Sequence, residues 1–285
     1  MRKKILLPTD FSKNAWNAVE YAIKLYKDVE CDFYLLNIFK AESSLWEEVV
    51  HEDRHNKLFD IAENESKEGL EKLIKRLSIP HSNTLHKFYP ISKFKYDNFF
   101  NALKSVVDSN DFELVIMGTR GASIDRDRAY GTNTIAIMEK LRSCTVLAIP
   151  SVVTYQEPKE IVFTTQFEFS FKKREIEHLI EVSKISKATI RILYIGDKEE
   201  LNETQIGYKK KLEKHLSGIT YKFHYIKRDN VTEAIKYFIE SRESDMVAFI
   251  NRKQAFFDLI FNRTMVKKLG YHSKIPVLAM HDWKG

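Results

Sequence analysis

Residues 114–150 read LVIMGTRGASIDRDRAYGTNTIAIMEKLRSCTVLAIP. The stretch opens on Leu114-Val115-Ile116-Met117, a short apolar run of the kind that forms a buried parallel strand. Gly118 ends the run and Gly121 follows. A charged loop occupies 122–130. Gly131-Thr132 then opens a segment with Ile135, Met138 and Leu141 at helical spacing, and Val146-Leu147-Ala148-Ile149 closes the stretch as a second apolar run. The order is strand, glycine loop, helix, strand. A loop leaving the carboxyl end of a parallel strand is where open α/β sheets bind ligands. Glycines let backbone N–H groups approach a phosphate, and a helix N-terminus favours negative charge. Thr132 offers a hydroxyl donor. From the residues alone, Gly118 serves equally as a strand-to-loop turn and Gly131 as a close-packing site.

The chain has no Gly-Lys-Ser/Thr triplet, so the loop is not a P-loop, and it lacks the Gly-x-Gly-x-x-Gly dinucleotide fingerprint. Its pattern, Gly-x2-Gly-x9-Gly-Thr, resembles the ATP-binding motif of the universal stress protein family, carried here by Gly118, Gly121, Gly131 and Thr132. The N-terminal stretch Pro8-Thr9-Asp10-Phe11-Ser12 resembles the first-strand motif of the same family. By geometry, Asp10 at a strand end serves either as a helix cap or as an acceptor for ribose hydroxyls. The resemblance implies the second role, near the sugar and adenine, with backbone contacts to adenine from Asn37-Ile38. The implied nucleotide site is Pro8, Thr9, Asp10, Ile38, Met117, Gly118, Gly121, Gly131, Thr132 and Asn133. The implied ligand is ATP, with AMP and ADP sharing the groups held and Mg²⁺ as the accompanying ion.

The chain has 285 residues, 44% apolar and 30% charged, enough for two domains with their own cores. Ile5-Leu6-Leu7 reads as the first strand. A helix follows, with Ser12 as N-cap and Ala15, Trp16, Val19, Ala22, Ile23 and Tyr26 on one face. Residues 33–39 form the second strand, 45–77 a long helix, 84–88 the third strand, and Phe99, Leu103, Val106 and Val107 mark another helix.

After a candidate linker, 151–158, the order repeats. Strands at 161–165, 190–195, 221–226, 246–250 and 277–280 mirror the first five, with a charged helix at 199–216. Such a repeat suggests duplication. The expected fold is α/β, two tandem doubly wound domains (1–150 and 157–285), each a mainly parallel five-stranded sheet with helices on both faces. In the family the last strands pair across a dimer. In a tandem chain they are expected to pair internally as a pseudo-dimer, which leaves a homodimer open.

The second half departs from the motif. Gln166 is aligned with Asp10, Asn251 with Gly118, Gln254 with Gly121, and Asn262-Arg263 with Gly131-Thr132. Side chains there would crowd a phosphate, so nucleotide is expected in the first half alone.

The net charge of +6 is scattered in short clusters on helices with acidic neighbours, as solvated faces are, so no nucleic-acid partner is expected. Cys31 and Cys144 lack metal-ligand spacing and read as buried free thiols. His51 and His55 lack the full His-Glu-x-x-His pattern and read as surface histidines. Arg120, Arg126 and Arg128 interleave with Asp125 and Asp127 and are not assigned to the site. The run after Met1-Arg2-Lys3-Lys4 is too short for a signal peptide and no run suits a membrane span, so a cytoplasmic location is expected. No activated nucleophile or general base is readable. The expectation is a nucleotide-binding stress or regulatory protein with little turnover; the alternatives are a slow ATPase and a ligand-free scaffold.

Overall fold

The computed structural model describes residues 2–40, 52–79, 85–119, 131–227, 231–251 and 275–282. Ten strands form one sheet: β1 Lys3–Pro8, β2 Cys31–Phe39, β3 His86–Phe94, β4 Leu114–Gly118, β5 Thr145–Ile149, β6 Glu160–Thr164, β7 Thr189–Ile195, β8 Tyr221–Ile226, β9 Met246–Asn251 and β10 Val277–His281. Seven α-helices cover it among the described residues: α1 Lys13–Leu25, α2 Glu52–Ser78, α3 Phe99–Asn110, α4 Thr132–Lys140, α5 Glu177–Ser186, α6 Glu203–His215 and α7 Val231–Ser241.

The strand order is β3-β2-β1-β4-β5-β10-β9-β6-β7-β8. It reads the same from either end once β6 to β10 are matched with β1 to β5. Each half is a five-stranded parallel sheet, and the fold is α/β and doubly wound. β5 and β10 run antiparallel, centred on the pair Leu147–Leu278, so the two halves close each other's open edges. The central strands are apolar on both faces, as a sheet covered on both sides requires. One apolar cluster fills each face, and each runs through both halves. Lys3 adds an ion pair to Glu181 on α5, 2.7 Å, across the boundary.

Several boundaries differ from the sequence reading. β3 extends to Phe94 instead of ending at Phe88, and Thr84 lies outside the described residues. It tolerates Pro90 because it is an edge strand. The charged helix expected over 199–216 begins at Glu203, where Asn202 and Gln205 form a capping box that stops the helix from extending further back. Of the long helix expected over 45–77, the segment 41–51 lies outside the described residues, with His51 in it. Both cysteines are free and buried; burial pushes the Cys31 thiol up to about 12.

Candidate functional site

In the first half the strand order turns between β1 and β4, since the chain leaves β1 toward β2 and returns to β4 on the other side. Crevices at such points are where doubly wound sheets take ligands. A cavity of about 270 Å³ lies there, lined by Pro8, Thr9 and Asp10 after β1, Ile38 and Lys40 at the end of β2, and Lys95 after β3. Met117 and Gly118 of β4, Asn133 and Thr134 of α4, and Ala15 and Phe99 complete the wall.

The rim is built by short-range hydrogen bonds. Thr9 Oγ1 accepts from Phe11 N at 3.0 Å, and Asp10 Oδ1 accepts from Ser12 N at 3.1 Å. Ser12 Oγ accepts from Ala15 N and caps α1, so the cap role falls to Ser12. The turn forces Phe11 to φ 61°, a left-handed conformation that costs a non-glycine residue about 1–3 kcal/mol. Buried Asn37 donates from Nδ2 to Thr9 O at 2.8 Å and ties the end of β2 to the end of β1.

Gly118 has a packing reason of its own. A Cβ there would stand 2.9 Å from the Asn14 carbonyl oxygen, so α1 can pass over the end of β4 only because no side chain intervenes. Thr134 Oγ1 then donates to Gly118 O at 3.0 Å, seating α4 against the same strand end. Gly131 is the N-cap of α4 at φ −67°, ψ 154°, an extended conformation open to any residue. Gly131 has no side chain with which to cap the first N–H groups of α4.

The cavity therefore brings together Pro8, Thr9, Asp10, Ile38, Met117, Gly118 and Asn133. Gly131 and Thr132 stand at the start of α4 outside the lining, and Gly121 lies outside the described residues, as do Arg120, Arg126 and Arg128. The sequence reading missed Ala15, Lys40, Lys95, Phe99 and Thr134. The two lysines directly follow the ends of β2 and β3, so a reading of the sheet order would have put them on this edge. Among the described residues no cluster of three or more His, Cys, Asp or Glu side chains could hold a metal ion.

At the matching edge of the second half, larger side chains replace several of these residues. The registers set Thr165 against Thr9, Gln166 against Asp10, Phe167 against Phe11 and Tyr194 against Asn37. They set Ile250 against Gly118 and Asn251 against Thr119, one residue off the alignment drawn from sequence. Phe167 repeats the turn, at φ 51° with its N–H bonded to Thr165 Oγ1, but its ring is buried and stacks on Tyr194 at 5.7 Å. The chain passes through a 3-10 turn, Lys173–Ile176, before α5, so no α-helical turn begins right after the strand as α1 does after β1. Asn251 reaches the other half and donates to Met138 O and Glu139 O at the end of α4.

Residues 1–84 match the model of the Universal stress protein family. That match spans β1, α1, β2 and α2, the opening units of the first half. A universal stress protein from Archaeoglobus fulgidus DSM 4304 is similar over 99% of this chain and 98% of its own, with 16% identity and a TM-score of 0.68. The cytoplasmic domain of a prokaryotic cation chloride cotransporter is similar over 99% of this chain and 96% of its own, with 9% identity and a TM-score of 0.51. These likenesses establish the fold. No curated protein matches the chain. The matched residues hold Pro8, Thr9, Asp10 and Ile38, whereas Met117, Gly118 and Asn133 come from beyond them. No helix among the described residues is long and apolar enough to cross a membrane.

Proposed function

We propose that this chain binds an adenine nucleotide in the crevice of its first half and works as a nucleotide-responsive regulatory protein of the stress-protein type. The observation that carries the reading is the lining itself. A carboxylate, a glycine strand end and the first turn of a helix whose N-cap is glycine converge where a doubly wound sheet takes ligands. In this reading α4 receives phosphate, Asp10 accepts from ribose hydroxyls, and the Ile38 segment meets the base. Residues 1–150 form the binding unit. Residues 157–285 form a second unit that lacks the motif, places Phe167 and Tyr194 at the matching strand ends and completes the shared sheet.

The test is mass spectrometry of small molecules released from the purified chain, followed by calorimetric titration with ATP, ADP and AMP. One site per chain is expected. Two equivalent sites would overturn the asymmetry, and no binding of any adenine nucleotide would favour a ligand-free scaffold. The Phe167–Tyr194 stack at the matching strand ends of the second half is the observation that keeps that second reading in play.

A further inference from the structure

A second cavity, of about 640 Å³, lies between the two halves and shares no lining residue with the crevice. β5 ends there and, because β10 runs antiparallel to β5, β9 and β10 begin there. Its walls include Tyr21 of α1, Val152 and Val153 after β5, Ser244 and Asp245 before β9, and Pro276 before β10. Junctions between domains are favoured places for small-molecule sites, whose volumes run to roughly 300–1,000 Å³. Contacts of its own hold the wall in place. Asn17 donates from Nδ2 to Val153 O at 2.8 Å, and the Tyr155 ring meets the Tyr21 ring edge-on at 5.0 Å.

Three polar groups on this wall have unused hydrogen-bonding capacity. Ser244 is 3% exposed, and its Oγ has no partner among the described residues. Tyr21 is 2% exposed, and its hydroxyl makes no hydrogen bond with the described residues. Burial, followed by nearby Tyr155 and Asp245, pushes that phenol up, so it stays protonated. Asp245 uses only Oδ2 to accept from Lys159 N at 2.7 Å and Glu160 N at 2.9 Å, and it has no ion pair among the described residues. An unpaired buried hydroxyl costs about 1–3 kcal/mol, so two on one cavity wall call for a polar guest. No lysine, arginine or histidine side chain lines the cavity, and its one formal charge is the Asp245 carboxylate. An anion would stand unpaired beside that carboxylate. A primary ammonium group has three N–H donors and no acceptor, which matches these three groups in number.

We propose that this cavity is a second ligand site, for a small primary amine with an apolar body. The ammonium donates to Asp245, Ser244 Oγ and Tyr21 Oη, and the carbon skeleton lies against Val152, Val153 and Pro276.

The experiment is calorimetric titration of the full chain with three probes of similar shape: 2-phenylethylamine, 2-phenylethanol and phenylacetate. The amine should bind at least about tenfold tighter than the alcohol, as a charge-assisted hydrogen bond allows, and phenylacetate should bind weakest. Ser244→Ala and Tyr21→Phe should each weaken the amine about three- to tenfold. Neither should lower the melting temperature, because each removes a buried hydroxyl that has no partner. Asp245→Asn keeps an oxygen for Lys159 N and Glu160 N and should abolish the preference for amine over alcohol. Should Asp245→Asn melt early, the two hydroxyl variants carry the test. No binding of the amine, equal affinities for amine and alcohol, or an amine affinity untouched by both Ser244→Ala and Tyr21→Phe would overturn the proposal.

Discussion

The two halves share a backbone turn and differ in what occupies it. Thr9 and Thr165 each accept a hydrogen bond from a phenylalanine two residues on, and both phenylalanines sit at positive φ. The turn therefore belongs to the fold and is not a device for ligand. What separates the halves is a few edge side chains. Asn37 becomes Tyr194, Met117 becomes Phe249, Gly118 becomes Ile250, and an outward Phe11 becomes an inward Phe167. Apolar patterning and turn chemistry carry the sheet; the side chains at the strand ends set how much room each edge has.

The sharpest contrast should come from the paired phenylalanines. Phe167 is 1% exposed and Phe11 43%. Phe167→Ala should cost about 3–5 kcal/mol, the usual loss for a buried aromatic ring. Phe11→Ala should cost under about 1 kcal/mol, as a partly exposed site does. Urea denaturation of both variants measures this, and equal losses would break the comparison.

Next in size is Asp10→Ala, which should weaken nucleotide binding by about 1–3 kcal/mol, the cost of losing one partner of a charged hydrogen bond. Gln166→Ala should leave binding unchanged. Calorimetric titration decides between them, and loss of binding in Gln166→Ala would show that the second half takes part.

A comparable effect on stability is expected across the boundary. Asn251→Ala leaves Met138 O and Glu139 O without their donor, and about 1–3 kcal/mol should be lost. Its counterpart Thr119 has a buried Oγ1 with no partner, so Thr119→Val should be neutral or stabilising. Thermal melting of the two variants sharpens the contrast.

The smallest effect is one of pH. His281 is buried, with neither ring nitrogen hydrogen-bonded, and burial, aided by nearby Arg142, lowers its pKa from 6.5 to about 3. The folded state thus binds this proton less readily than the unfolded state. Stability is fully present above pH 6.5 and declines as pH falls toward 3. Buried His178 has its pKa lowered from 6.5 to about 3 as well, so each of the two histidines should contribute about 0.7 kcal/mol of the loss between pH 7 and pH 6, and His281→Phe should remove its own share. An unchanged pH slope in that variant would assign the effect elsewhere.

Much of the fold was legible because apolar runs such as 114–117 and 146–149 can only be buried strands, and because the order of runs repeats. That Pro8, Thr9, Asp10, Ile38, Met117, Gly118 and Asn133 share one crevice was implied by the family resemblance of two short motifs, not by spacing alone. The Gly131 argument was less sound: its φ of −67° makes no demand for glycine, whereas Gly118 is required by a helix more than a hundred residues earlier in the chain. Sequence alone also set Asn251 in place of Gly118. The sheet register moved it by one residue, and in a strand one residue exchanges the two faces. That shift is why Asn251 meets α4 and Ile250 takes the Gly118 position.

The sequence by itself determined a duplicated α/β chain with an intact loop motif in one half only, because hydrophobic period and turn residues act over a few positions. Only the tertiary structure decided that β5 and β10 join the halves into one sheet, that Phe167 stacks on Tyr194 at the end of β7, and that Lys40 and Lys95 line the first crevice with Asp10. Those outcomes depend on which strand ends become neighbours in space, and that is set by strand order and register.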